Sequence, residues 1–300
     1  MKPNLICLIG LLCFISCAQK KSKTPSNYTY EIVVPDINIP WGFVFLPDNS
    51  ILITEKSGVL IHFKNDSKSF IKELPEIIVQ GQGGLMDIEL HPNYPENGWV
   101  YISYASSDGT GKGANTAIMR FKIQNKTAIE KQLLYKATPN SGRGQHFGSR
   151  LEFDNDGFLY FSIGDRGNRD INPQNIERDC GKIYRLLDNG NIPIDNPFVK
   201  DRNAKKAIFS YGHRNPQGMV KHPTTGKIWV HEHGPRGGDE INIIASGKNY
   251  GWPIISYGIN YSGTKFTNLT TLDGMEQPIH YWKPSIAPSG MEFITSDVYP

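Results

Sequence analysis

Apolar positions in this chain come in short alternating runs, and each run stops at a cluster of turn residues. Trp41–Leu46 alternates and halts at Pro47-Asp48-Asn49. Ser50–Thr54 resumes and halts near Ser57-Gly58, and Val59–Phe63 follows. Period-two alternation bounded by Pro, Asp, Asn and Gly predicts three successive β-strands. No stretch carries a 3.6-residue period, so little helix is expected. The same wording recurs as FLPDNSILIT (45–54), HPNYPENGWVYIS (91–103), FDNDGFLYFS (153–162) and HPTTGKIWVH (222–231). Each copy is a strand end, a turn, and a strand rich in Ile, Leu, Tyr or Trp. Starts roughly 45 to 70 residues apart suit propeller blades of about 40–45 residues with added loops. Unrelated hairpins in a sandwich are the other architecture this pattern allows. If the copies are equivalent, the groups just past the strand (Glu55, Asp165 and His231-Glu232-His233) gather at one end of a central channel.

The first residues read differently. Lys2 precedes an apolar run, Leu5–Ile15, that is too short to span a bilayer as a mature helix. Phe14-Ile15-Ser16-Cys17 then places a small residue before a Cys, as in a bacterial lipobox, with Phe where Leu is usual. The expected organisation is a lipoprotein signal peptide over 1–17, a flexible Lys/Ser-rich tether over 18–27, and a β domain over 28–300. Lipidation at Cys17 would leave the protein exported and membrane-anchored, in the periplasm, at the outer membrane or at the cell surface. An ordinary secretory signal with an incidental Cys is the competing reading.

Composition agrees with strands and turns: 30 Gly, 20 Pro and 11% aromatic residues. Cys7, Cys13 and Cys17 lie in the leader, so Cys180 alone remains and no disulfide framework is possible within the body. A buried structural thiol and a catalytic one both stay open for it. The formal charge of +3 comes from the leader and tether. Lys2, Lys20, Lys21 and Lys23 precede Tyr28, and without them 28 basic residues face 29 acidic ones. A body at −1 with no basic block argues against a nucleic-acid partner.

Four stretches carry candidate chemistry. Gly81-Gln82-Gly83-Gly84 lets backbone approach a ligand closely, and Gln82 can both give and accept hydrogen bonds. A plain surface turn is the alternative, and no helical pattern follows to make a phosphate loop. In Gly144-Gln145-His146-Phe147-Gly148, a His beside glycines has Asp165 one hairpin away. That pair suits a general base and the carboxylate that fixes its tautomer, or else a His serving a turn. Arg214-Asn215 in Tyr211-Gly212-His213-Arg214-Asn215 can grip carboxylate or quinone oxygens, or be structural. His231 and His233 would share a strand face, which suggests zinc, but no third ligand follows. Gly234-Pro235 and the nearby acids favour oxygen ligands and a hard cation such as calcium.

Taken in order, PWGFVFLPDNSILITEKSG, GQGGLMDIELHP, QHFGSRLEFDNDGFLYFSIGD, YGHRNPQG, HEHGPRGGDEINII and GKNYGWPIISYG resemble the soluble PQQ-dependent aldose sugar dehydrogenases of the glucose/sorbosone dehydrogenase family. The resemblance runs from about Pro40 to Pro300. It implies an all-β, six-bladed β-propeller with pyrroloquinoline quinone (PQQ) on its top face and calcium as cofactors. By position, His146 resembles the base toward the anomeric hydroxyl and Asp165 its partner. Gln82, Arg214, Asn215 and Tyr261 resemble PQQ contacts. The carbonyls of Gly234 and Pro235 resemble ligands of the PQQ-bound calcium, and Glu240 and Tyr250 those of a structural calcium. The implied reaction oxidises C1 of an aldose to a lactone by hydride transfer to the quinone, with electrons leaving to an unidentified acceptor. The pattern is still running at Gly290-Met291-Glu292-Phe293-Ile294 when the sequence reaches Pro300, so a propeller truncated at its C-terminus is expected. A calcium-dependent propeller lactonase and a non-catalytic sugar- or protein-binding propeller are the alternative functions.

Overall fold

The structure is a computed structural model, and it describes residues 30–297. The leader, Cys17 and the tether lie outside the described residues. The body is a unit beginning at Asp36. No helix among the described residues is long and apolar enough to cross a membrane.

Four antiparallel four-stranded sheets follow one another along the chain. The first holds β1 (Pro40–Phe45), β2 (Ile51–Glu55), β3 (Val59–Lys64) and β4 (Ser67–Phe70). The second holds β5 (Leu85–Leu90), β6 (Val100–Ser106), β7 (Asn115–Gln124) and β8 (Thr127–Lys136), with a single helical turn, α1 (Tyr94–Asn97), between β5 and β6. The third holds β9 (Leu151–Phe153), β10 (Leu159–Ile163), β11 (Lys182–Leu186) and β12 (Ile208–Tyr211). The fourth holds β13 (Pro216–Lys221), β14 (Ile228–Glu232), β15 (Asp239–Ile243) and β16 (His280–Trp282). In every sheet the strands pair in chain order, and β1, β5, β9 and β13 lie side by side as the inner strands. This is the meander-per-blade arrangement of a β-propeller. Each of the four repeats read from the sequence spans one hairpin between an inner strand and its neighbour.

Blade number departs from the expectation of six: the described residues make four. The physical reason is loop length, since 164–181, 187–207 and 244–279 are inserted between strands and use up chain. Ser289–Glu292 stands beside the inner strands at the channel without forming a named strand of its own.

The core lies between blade faces. Leu52, Leu60, Leu85, Val100 and Ile102 fill the space between the first two blades. Tyr101, Leu151, Phe161 and Tyr184 fill the next, where the rings of Phe161 and Tyr184 stack at 4.8 Å. Burying side chains of this size contributes about 1.5–3 kcal/mol each. A polar link repeats beside this packing. Thr54 donates to the Met86 carbonyl (2.5 Å), Ser103 to that of Ser149 (2.6 Å) and Ser162 to that of Pro216 (3.1 Å). Each hydroxyl ends a sequence repeat and reaches the inner strand of the next blade or the residue entering it. Each also accepts a main-chain N–H from the inner strand of its own blade or the residue beside it: Gly42, Asp87 and Arg150. The fourth repeat ends in His231, whose ring lies over Gly218 and has no partner for either nitrogen among the described residues.

Candidate active site

The segments entering inner strands and those leaving second strands meet at one end of the blades. Gln82 precedes β5, His146 precedes β9, and Arg214-Asn215 precede β13. Asp165 follows β10, and Gly234-Pro235 follow β14. Glu55 does not join them, contrary to the register expectation. Its carboxylate accepts the Asn38 N–H and the Ser57 hydroxyl and so closes its own turn.

His146 has φ 56°, a left-handed backbone uncommon for a residue with a side chain. Two neighbours hold it there. Its N–H donates to Gln82 Oε1 (2.7 Å), and the Gln82 N–H donates to the Gly144 carbonyl (2.6 Å). Beneath, Arg166 is almost fully buried, donates to the carbonyls of Arg143, Ala114 and Gln145, and lays its guanidinium on the Phe147 ring. Burial pulls the Arg166 pKa down to about 10.

The His146 ring donates from Nδ1 to Asp165 Oδ1 (2.7 Å). Burial lowers its pKa, Asp165 counteracts this, and Arg214 and Arg166 add to the lowering. The imidazole is therefore neutral at pH 7, with Nδ1–H on the carboxylate and Nε2 left at the pocket. Asp165 is 1% exposed. Its Oδ1 also accepts the Gly167 N–H (2.6 Å), and its Oδ2 accepts the Trp252 indole N–H (2.9 Å). Behind it, Asn172 donates to the Asp165 carbonyl, and buried Lys182 donates to the Asn172 carbonyl. Burial brings the Lys182 pKa down to about 7.

A pocket of about 260 Å³ brings His146 and Asp165 together with Arg214, Pro235, Trp252 and Tyr261. Arg214 is aimed by Glu232, which accepts its main-chain N–H (2.5 Å) and His213 Nδ1 (2.8 Å), and by the His233 carbonyl, which accepts from its guanidinium (2.8 Å). Tyr261 is 73% exposed at the rim. Asn215 is not on the pocket wall: it is 1% exposed and its Oδ1 accepts the Gly148 N–H (3.2 Å). Gln82 likewise spends its side-chain oxygen on His146. The larger cavity, about 840 Å³, is the channel along the inner strands, where Asp87 and Arg150 form an ion pair at 2.9 Å; the His–Asp pair is not on its wall.

Hard-cation donors lie beside the pocket. Gly234 is pinned by Asp239, whose Oδ1 accepts its N–H (2.8 Å) and whose Oδ2 accepts from Ser285, Ile286 and Ala287. Burial alone would raise the Asp239 pKa, but those hydrogen bonds outweigh it and hold it low. No hydrogen bond among the described residues ends on the Gly234 or Pro235 carbonyl. A cavity of about 10 Å³, room for one water-sized occupant, touches Glu232, Glu240 and Tyr250. Glu232 and Glu240 face each other across β14 and β15, and burial together with the Glu232 charge pushes the Glu240 pKa up to about 8. Opposed carboxylates, one buried and one half-buried, with spare carbonyls nearby suit calcium, which takes oxygen ligands. Tyr250 fits only through its main chain, because its phenol donates to the Ile243 carbonyl and accepts the Ala245 N–H. Zinc finds no such set: no group of three His, Cys, Asp or Glu residues among the described residues could hold a metal, and His233 Nε2 is bonded to the Pro288 carbonyl. Cys180 is buried and free, bonded to Asn115, and burial pushes its pKa up to about 11, which suits a structural thiol.

Sequence reasoning passed over Trp252 and His213. Each stood inside a quoted motif, but nothing local says that its partner lies in another loop.

The family model described as glucose/sorbosone dehydrogenase matches residues 37–300. The chain is similar to aldose sugar dehydrogenase YliI of Escherichia coli (strain K12), at 39% identity over 300 residues, 98% of this chain and 80% of that protein. It is also similar to the crystal structure of the soluble aldose sugar dehydrogenase of Escherichia coli in the apo form, with TM-score 0.86 and 39% identity over 90% of this chain and 79% of that one. The PQQ-bound aldose sugar dehydrogenase of Streptomyces coelicolor matches with TM-score 0.71 at 26% identity, over 87% of this chain and 73% of that one.

Proposed function

This chain belongs to the glucose/sorbosone dehydrogenase family, and from that premise we propose that it oxidises C1 of aldose sugars to lactones, using calcium-held PQQ at the end of the β-propeller whose four blades the described residues form. The observation that carries the reading is the His146–Asp165 pair, opening on a pocket shared with Arg214 and Pro235. Neutral His146 accepts the anomeric hydroxyl proton at Nε2, and Asp165 stabilises the imidazolium that results. PQQ, when bound, supplies the acceptor for the two electrons and hydrogen leaving C1. Arg214 and Tyr261, which line the pocket, would hold it, and the Arg214 charge would complement its anionic groups. Gln82 and Asn215 serve the same site by fixing the His146 and Gly148 backbone. The carbonyls of Gly234 and Pro235 would take one calcium, and Glu240 with the Tyr250 carbonyl another. Export and lipid anchoring through Cys17 complete the reading, with an external acceptor taking the electrons.

The test is reconstitution of the protein with PQQ and calcium, followed by aldose-dependent reduction of an artificial dye. Turnover that requires PQQ and calcium is expected. A correctly folded protein that binds PQQ yet reduces no dye with any aldose sinks the proposal, and lactone hydrolysis without PQQ would point to the hydrolase instead.

A further inference from the structure

We infer that Trp252 is a positioning residue for the His146–Asp165 pair, an inference that rests on the sugar-oxidising reading above. Asp165 is 1% exposed, so its carboxylate depends on donors from the protein. Among the described residues its carboxylate has three donors from side chain and backbone. Two of them, His146 Nδ1 and the Gly167 N–H, converge on Oδ1. Oδ2 has the Trp252 indole N–H, at 2.9 Å. Contacts on one oxygen leave a carboxylate free to swing about that oxygen, and a donor on the other removes the swing. A buried carboxylate oxygen stripped of its donor is left unsatisfied, so it turns to find another. The acceptor of the imidazole N–H would turn with it, and His146 would no longer be held to the tautomer that leaves Nε2 free for the sugar.

The indole is itself held tightly enough to act as this anchor. The Trp252 main-chain N–H donates to the Gly212 carbonyl (2.9 Å), and its main-chain carbonyl accepts from Gln174 (2.8 Å). Its ring packs edge-to-face on Phe266 at 5.2 Å. The Arg214 guanidinium lies 5.4 Å from the ring centroid. One side chain thus ties the partner of the base to the cation of the same pocket. A tryptophan that merely filled space would need no such alignment of its N–H.

The experiment separates the N–H from the ring. Replacing Trp252 with β-(3-benzothienyl)alanine keeps the bicyclic shape and exchanges the N–H for sulfur, while Trp252→Phe also removes ring area. The first readout is the ¹⁵N NMR spectrum of the His146 ring in cofactor-free protein, assigned by its absence in His146→Ala. The parent should show the Nδ1–H tautomer, and the benzothienyl variant a mixture with Nε2–H. The second readout is turnover after reconstitution, where kcat should fall roughly 10- to 100-fold with the sugar KM within about two-fold, as for loss of an orienting contact rather than of binding. A benzothienyl variant that melts like the parent and keeps the Nδ1–H tautomer overturns the inference, whatever its turnover. A parent that oxidises no aldose would refute the proposed function alone, because the tautomer readout needs neither sugar nor cofactor.

Discussion

A single methyl group at Gly81 should disable the enzyme from outside the pocket. A Cβ there would stand 2.6 Å from Gly144 Cα and 2.7 Å from the Gly144 carbonyl carbon, with the Gly144 oxygen closer still. Carbon atoms in comfortable contact are about 3.5 Å apart, so the two backbones must part by roughly 0.9 Å. Backbone cannot rotate out of the way as a side chain can. The movement falls on the Gln82 N–H bond to Gly144 and on the Gln82 bond to the His146 N–H, which together hold His146 at its positive φ. Displacing a catalytic group by about 1 Å costs about 100-fold in rate. Gly81 also has φ +58°, where an alanine pays roughly 1–2 kcal/mol, so the melting temperature should drop by about 5 °C. Gly157→Ala is the matched control: φ is +80° but nothing lies within 4 Å, so it carries the backbone cost without the clash. PQQ- and calcium-dependent dye reduction, measured well below both melting temperatures, should show Gly81→Ala about 100-fold down and Gly157→Ala unchanged. Equal turnover in the two variants would refute the claim that this contact places His146.

Other outcomes follow from the same geometry. His146→Ala should abolish dye reduction while PQQ binding, followed by absorbance, persists; retained turnover would remove His146 as the base. Calcium filling the Glu240 site of the metal-free protein should raise its melting temperature, by an amount equivalent to about 2.7 kcal/mol at one hundred times the Kd of that site, and Glu240→Gln should lose most of that contribution. Ser162→Ala strands the buried Pro216 carbonyl and Arg150 N–H together, and should cost about 1–3 kcal/mol in urea unfolding without touching the sugar KM. Burial lowers the His231 pKa to about 4, so between pH 6.5 and 4 the unfolded chain binds a proton that the folded one does not. Stability should fall as pH drops through that window, by up to about 1.4 kcal/mol per unit from this group, and His231→Phe should flatten the fall.

The blade repeat was legible because a hairpin is local. Alternation, a turn and a second alternating strand lie within about fifteen residues, and all four repeats mark such a hairpin. Blade number was not legible, since the insertions at 187–207 and 244–279 carry no periodicity to count. The His146–Asp165 pair was legible for the same reason as the hairpins: β9 and β10 bring it together. The Glu232–Glu240 pairing and the aim of Asp239 at Gly234 are also near in sequence, but polar residues on strands look alike until the register is known. Trp252 and Asp165 are held together across 87 positions, and only the packed blades bring them within a hydrogen bond.

Left-handed backbone at residues with side chains is concentrated at the site. Positive φ at Asn65-Asp66 and Asn125-Lys126 falls in two-residue turns between paired strands, where it matches the twist of the hairpin. His146, Ser149, Arg166 and Cys180 also have positive φ, and none of them is in such a turn. They cluster on the two segments that build the His–Asp pair, and each is held by contacts from elsewhere. Gln82 holds the His146 N–H, Ser149 lies against Met86, Arg166 spans three carbonyls, and Cys180 is braced by Tyr184 and Asn115. Strain of this kind costs about 1–3 kcal/mol per residue and persists only where the surroundings over-determine it. The uniform hairpins are what make that affordable. They repeat one self-consistent unit in every blade, so that left-handed residues outside the hairpin turns occur singly elsewhere, as at Ile39, Glu73 and Glu130, but gather four together on the segments of the His–Asp pair.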